Sequence, residues 1–196
     1  MKTQFLRIAG WFDIATPILS LTLVFVSVAM SPWFSWHANA LSDMGVSATP
    51  NPFNFGLIAG GLLYIVFAIG LWKWISVDSS VATIGKVALM LGSIALPLIG
   101  VINEDFDRLH YIVAATYFLA TPLGYLLIGA VMLKRGEQVP GLLTIAAGIA
   151  AILAITLVPH QKIAVPEILA SVIMGSWTFA MGVKLLIDPA RLHVKP

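Results

Sequence analysis

The chain has no cysteine among its 196 residues, which excludes disulfides, thiolate nucleophiles, iron–sulfur ligation and cysteine-type zinc sites together. It is also poor in charge. Asp, Glu, Lys and Arg make up 10% of it, where a soluble domain carries about 25%. The net charge of +2 is too small to attract a polyanion, so nucleic acid is not an expected partner. Apolar side chains are what the chain has in excess: 59% of its residues are hydrophobic and mean hydropathy is +0.96. A water-soluble globule holds about 45–50% apolar residues. A soluble globule and a disordered chain are therefore excluded, and a polytopic membrane protein remains.

A helix needs about 20 mostly apolar residues to cross the hydrocarbon layer. Six stretches qualify, at 8–30, 53–74, 83–102, 110–133, 141–158 and 165–187. The expected fold is an all-α integral membrane bundle of six transmembrane helices, forming one domain over residues 1–196. Breaks follow Pro32, Asn51-Pro52, Arg135-Gly136 and Asp188-Pro189, all turn-forming residues. The connections are short except residues 31–52, and a long ordered loop is where function tends to reside. Nine of the eleven Lys and Arg residues fall on one side of the spans, leaving only Arg108 and Lys162 on the other. That bias predicts a cell-membrane protein with both termini cytoplasmic. Trp33 and Trp36 at one boundary, and Trp72 and Trp74 at the other, suit interfacial aromatic belts. Ala38-Asn39-Ala40 resembles a signal-peptidase site, but the apolar stretch before it is too long and Pro32–Trp36 too bulky, so the first span is expected to be retained.

Glycines recur at similar places in the spans: Gly85 and Gly141 where two begin, and Gly70, Gly129 and Gly182 before a lysine where three end. Three helical hairpins of similar build would produce this pattern, and so would ordinary membrane-helix composition. Small residues four apart (Gly56 and Gly60, Ala88 and Gly92, Ala147 and Ala151, Ser171 and Gly175) predict close helix–helix contact. Pro17, Pro97 and Pro122 lie inside spans and predict kinks.

The polar residues are unevenly spread. His37, His110 and His160 fall on the side opposite the lysines, with Asp43, Glu104, Asp105, Asp107 and Glu167, and with Asn39, Ser42 and Asn54. On the fourth span His110, Tyr117, Thr121 and Gly124 form one stripe, and on the sixth Glu167, Ser171, Gly175 and Thr178 form another. Polar stripes turn away from lipid. The two would line an outward-facing pocket with Asn39, Asn54, His110, Tyr117, Glu167 and Ser171 as ligand-binding residues. Its occupant would be a small polar ligand, a lipid head group or a metal. His37, His110 and His160 with a carboxylate could hold zinc or another divalent metal. Such an ion would activate water against a lipid ester, with Glu104, Asp105 or Glu167 as general base and Ser42, beside Asp43, as nucleophile. No H-E-x-x-H or other paired-histidine motif supports this.

Plainer readings exist for the same residues. Asp107 could cap the fourth span, with Glu104 and Asp105 near its positive end; Ser42-Asp43 could cap a short surface helix; His37 and His160 could be loop residues. The chain could then be a non-catalytic subunit of a membrane complex or a homo-oligomer. Asp13 stands apart, about two turns inside the first span, where a carboxylate needs a partner. Lys86 or Lys184 is the expected one, and a proton or ion relay the alternative.

The run Pro32-Trp33-Phe34-Ser35-Trp36, then Asn39-Ala40-Leu41-Ser42-Asp43-Met44-Gly45, then Asn54-Phe55-Gly56-Leu57-Ile58 and Gly60 resembles an uncharacterised family of prokaryotic six-span membrane proteins, the domain of unknown function numbered nine-nine-eight. The likeness continues through Gly100, Glu104-Asp105 and His110. It implies a six-helix membrane fold and no particular activity. Where the family has a proline before its acidic pair, this chain has Asn103.

Overall fold

The computed structural model describes residues 2–47, 52–76, 79–158 and 163–189. Among them are six long helices and no strand: α1 (Lys2–Ala29), α2 (Phe53–Trp74), α3 (Ser80–Val101), α4 (Arg108–Lys134), α5 (Gln138–Leu157) and α6 (Ala164–Ile187). All six are long and apolar enough to cross a membrane. Several start earlier than the apolar stretches predict, α1 at Lys2 instead of residue 8 and α5 at Gln138 instead of 141. Hydropathy marks the length of chain in hydrocarbon, whereas backbone hydrogen bonding carries a helix on into polar residues.

Each helix packs on its sequence neighbours, and α6 returns to pack on α1, so the six form a closed ring. The contacts around the ring are unequal, and that between α5 and α6 is the loosest of the six. Small residues set the close approaches. A Cβ on Gly10 would lie 2.8 Å from the Gly182 carbonyl oxygen, and one on Gly182 would lie 2.7 Å from that of Gly10. These two glycines seal the ring between α1 and α6. Gly92 admits the Thr121 side chain between α3 and α4, and Gly61 admits the Pro97 ring between α2 and α3. The helices run without interruption through Pro17, Pro97 and Pro122.

The outward faces carry Trp11, Phe55, Leu62, Leu91, Leu119 and Leu143, all exposed. Apolar exposure of this extent around a helical ring suits lipid contact and not water. Inside, Tyr64 and Phe67 from α2, Tyr125 from α4 and Trp177 from α6 form an aromatic plug, with ring centroids 3.8 Å apart for Tyr125 and Trp177 and 6.1 Å apart for Phe67 and Trp177. The indole Nε1–H of Trp177 donates to Thr144 Oγ1 of α5 at 2.9 Å, which fixes the plug's orientation.

The helices alternate in direction, so α1 begins and α6 ends at the same end of the ring, here called the terminal end. There Lys73 lies over Phe5, Lys86 over Trp72 and Lys184 over Trp74, with Nζ 4.2–5.5 Å from the ring centroids. Lys184 also forms an ion pair with Glu137 at 2.9 Å. The opposite end, the loop end, carries the connection after α1 and the α3–α4 turn. Two 3-10 turns lie there, Leu41–Val46 and Glu104–Phe106.

Candidate functional site

The loop after α1 folds back over the mouth of the ring, where the Ser42 side chain and main-chain groups of Asn39, Leu41 and Gly45 bond to α2, the α3–α4 turn and α6. Within the loop, Phe34 packs edge-on against Trp36. Asn39 Oδ1 accepts from the Ser35 N–H at 2.9 Å, and its Nδ2 donates to Asp43 Oδ2 at 2.7 Å. The same Asp43 oxygen accepts from the Ala40 N–H at 3.1 Å. These bonds close the start of the Leu41–Val46 turn, as a capping carboxylate does.

From this turn the loop reaches outward. The Leu41 N–H donates to Glu167 Oε2 at 2.9 Å, and the Ala164 N–H, in the first turn of α6, donates to the Asn39 carbonyl at 3.2 Å. The second bond satisfies one of the donors that a helix start leaves free. Ser42 Oγ donates to Glu104 Oε1 at 2.5 Å, joining the loop to the α3–α4 turn. Asn54 Nδ2 of α2 donates to the Gly45 carbonyl at 2.8 Å. A Cβ on Gly45 would lie 2.5 Å from Asn54 Oδ1, so the close approach needs glycine.

The α3–α4 turn is organised by Asn103, whose Oδ1 accepts from the Asp105 N–H at 3.2 Å. A side-chain cap thus does here what a proline's fixed φ would do by stiffness. Asp107 stands at the start of α4 but makes no side-chain cap, because its backbone is left-handed (φ 42°). Its expected capping role is not realised. Burial pushes the Glu104 carboxyl above its ordinary value. The Ser42 hydroxyl opposes this, hydrogen bonding and repulsion from Asp43 add to it, and His110 opposes it.

Beneath the loop is a cavity of about 50 Å³. Ser42, His110, Tyr117, Glu167 and Ser171 contribute to its wall, and the remainder is apolar, including Leu41, Phe53 and Leu96. His110 is buried, and its Nδ1 lies 2.6 Å from the Ile102 carbonyl at the end of α3. A carbonyl only accepts, so Nδ1 carries a hydrogen, and in the neutral ring Nε2 is then the acceptor.

The candidate residues therefore fall into groups. Ser42, His110, Tyr117, Glu167 and Ser171 share the cavity. Asn39, Asp43, Asn54 and Glu104 hold the loop above it. Asp105 is exposed in its turn, as is the His37 side chain on the loop, and His160 lies outside the described residues. Among the described residues no three His or acidic side chains are grouped so as to hold a metal ion. Leu41, whose N–H ties the loop to Glu167, is not legible as a site residue, because a main-chain donor leaves no mark in a sequence.

Ring, lipid-facing surface and polar mouth together define a multi-pass integral membrane protein of six helices. The chain belongs to the family described as Protein of unknown function (DUF998), whose sequence profile matches residues 14–184. No curated protein and no solved structure matches the chain.

Proposed function

We propose that this protein binds the polar end of a small molecule or lipid in the cavity beneath the loop, with that end of the ring outside the cell and both termini in the cytoplasm. The observation carrying this reading is the set of five polar side chains on an otherwise apolar cavity wall beneath the loop. Polar groups inside a membrane bundle are costly and mark binding sites or pathways. Size narrows the occupant. A water needs about 10–15 Å³ of such volume, so the cavity of about 50 Å³ takes a group of a few heavy atoms and not a whole lipid. Charge narrows it further. Glu167 lines the wall, Glu104 and Asp43 stand close by, and His110 is the single basic side chain present. An ammonium or hydroxyl group suits that field better than a phosphate. The basic end facing the cytoplasm agrees with the positive-inside bias.

The test is thermal unfolding in nanodiscs with an alkylammonium amphiphile, an alkyl alcohol or an alkyl phosphate of equal chain length. The ammonium or alcohol probe should stabilise the wild type, and Glu167→Gln and His110→Ala should abolish that effect. A phosphate preference, or a shift that survives both substitutions, would refute the reading, and the non-catalytic subunit would then be the better account.

A hydrolytic reading is favoured by one observation. The Ser42 hydroxyl donates to Glu104, and the Asp43 carboxyl stands close to Glu104. Nucleophile, base and orienting acid follow the logic of a catalytic triad. Glu104 would take the Ser42 proton as Oγ attacks an ester carbonyl, then return it to the departing alcohol; water would release the acyl group. This arrangement calls on no metal. A fluorophosphonate probe should label Ser42, and Ser42→Ala should remove the label; an unlabelled wild type would rule the reading out.

A further inference from the structure

Asp13 lies about 8 Å inside the apolar stretch that begins at residue 8, at a rise of 1.5 Å per residue, within a hydrocarbon layer about 30 Å thick. It has 0% exposure, and neither carboxyl oxygen has a hydrogen-bond partner. The expected pairing with Lys184 or Lys86 is not formed. Lys184 is held by Glu137 at 2.9 Å, and Lys86 Nζ donates to the Ile75 carbonyl at 3.4 Å and lies over Trp72. Pro17, four residues further on, has no N–H to offer the Asp13 carbonyl. Side chain and main chain thus both present acceptors in one apolar stretch.

The neighbours fix what Asp13 faces. On the α6 side, Gly10 meets Gly182 and Pro17 meets Gly175, so Asp13, between Gly10 and Pro17, faces the turn of α6 that carries Thr178. On the α2 side, Ala9 meets Gly70, and Thr16 and Ser20 meet Gly60, which bracket Tyr64. The Tyr64 and Tyr125 hydroxyls are within electrostatic reach of Asp13. They are 3.2 Å apart, and Tyr125 is 3.3 Å from Thr178 Oγ1. Above them is a second cavity of about 50 Å³, lined in part by Thr16, Ser20, Tyr64 and Thr178 and sharing Tyr117 and Ser171 with the cavity beneath the loop. Two adjoining spaces of this size have room for a few waters, with the polar side chains on their walls as partners.

We propose that Asp13 is an intramembrane proton site, exchanging with the loop-end cavity through this column of hydroxyls and water. A metal cation needs about six oxygen ligands, and the Asp13 oxygens have no hydrogen-bonding neighbour; a proton needs only one. Asp13 does not itself line the cavity, so the transfer needs a water to move in past Tyr64 and Thr178. That water accepts the proton as the Asp13 O–H bond breaks, and a proton passes on through the cavity to the Glu167 carboxylate or His110 Nε2. The reverse steps restore it. Tyr64 from α2 and Tyr125 from α4 are the titratable groups facing Asp13, and α6 presents the neutral Thr178. This requires the cavity to admit water, whether or not the polar ligand proposed above binds there.

The test is infrared spectroscopy of the full chain in nanodiscs, with aspartate carrying a heavy carbon in its side-chain carboxyl. An isotope-shifted band of a neutral carboxylic acid should be present at neutral pH and absent from Asp13→Asn. If that variant does not fold, Asp13→Glu serves instead, because its carboxyl escapes the aspartate label and the shifted band should vanish. In deuterium oxide the band should exchange, and Tyr64→Phe with Tyr125→Phe should slow exchange about tenfold, as loss of one hydrogen-bonded step from the barrier would do. No neutral-acid band, exchange unaltered by the tyrosine variants, or loss of the band on adding sodium at fixed pH would each overturn the proposal. Binding of the ammonium probe, measured on the same discs, fails or succeeds separately.

Discussion

The Ser42 hydroxyl donates to the Glu104 carboxyl across 2.5 Å, and this contact ties the first loop to the α3–α4 turn 62 residues later. Hydrogen bonds to a carboxylate contribute about 1.5–3 kcal/mol. Ser42→Ala should therefore lower unfolding free energy by about that amount and leave the six helices intact. Denaturant titration in detergent, with circular dichroism for helix content, measures both. An effect below about 0.5 kcal/mol, the scale of a neutral surface substitution, would show that the loop does not depend on this bond.

Glu104 gives the closed loop a pH dependence with a definite sign. Its carboxyl is raised above its ordinary value, chiefly by burial, so folding favours the protonated form. The stabilisation is complete below the ordinary carboxyl range, about 4.3 for glutamate, and is lost as pH rises through the raised value. The difference in melting temperature between wild type and Glu104→Gln should change across that window, with wild type losing ground as pH increases. A difference independent of pH would contradict the assignment.

Two glycines should respond differently to the same substitutions. Gly10 faces the Gly182 carbonyl at the α1–α6 seam, and Gly10→Ala should cost about 1–3 kcal/mol through overpacking. Gly136 has open space around it but a φ of +82°, so Ala there costs about 1–2 kcal/mol of backbone strain. Asparagine separates the causes. It tolerates the left-handed conformation, so Gly136→Asn should be nearly neutral while Gly10→Asn is worse than Gly10→Ala. Melting temperatures of the four variants decide this.

Lys184 is shared between Glu137 and the Trp74 ring. A double-mutant cycle of Lys184→Met with Glu137→Gln should show a coupling of about 0.5–3 kcal/mol. The cycle of Lys184→Met with Asp13→Asn should show none. Coupling in the second cycle would restore the Asp13–Lys184 pair expected from depth alone.

The parts of this molecule written in local composition are readable from its sequence. Twenty-residue apolar stretches announce α1 to α6, and the alternation of spans collects His110, Ser42, Glu104 and Glu167 at one end. What depends on ring order is not readable. Leu41 meets Glu167 across 126 residues, and nothing near either residue encodes that α6 closes against α1. Asp13 teaches the same lesson. Depth made Lys184 an eligible partner, but Glu137, across the α4–α5 turn, occupies it. The left-handed Asp107 escaped notice because a capping residue and a strained turn residue share one composition.

The seam between Gly10 and Gly182 has a consequence for synthesis. α1 leaves the ribosome before α6, so the face bearing Asp13 and Pro17 has no lasting cover until α6 follows. During that interval those side chains must be sheltered by the insertion machinery or turned from the bilayer by α2. A stalled nascent chain ending before residue 164 should crosslink to that machinery through position 13, and release should coincide with delivery of the sixth helix.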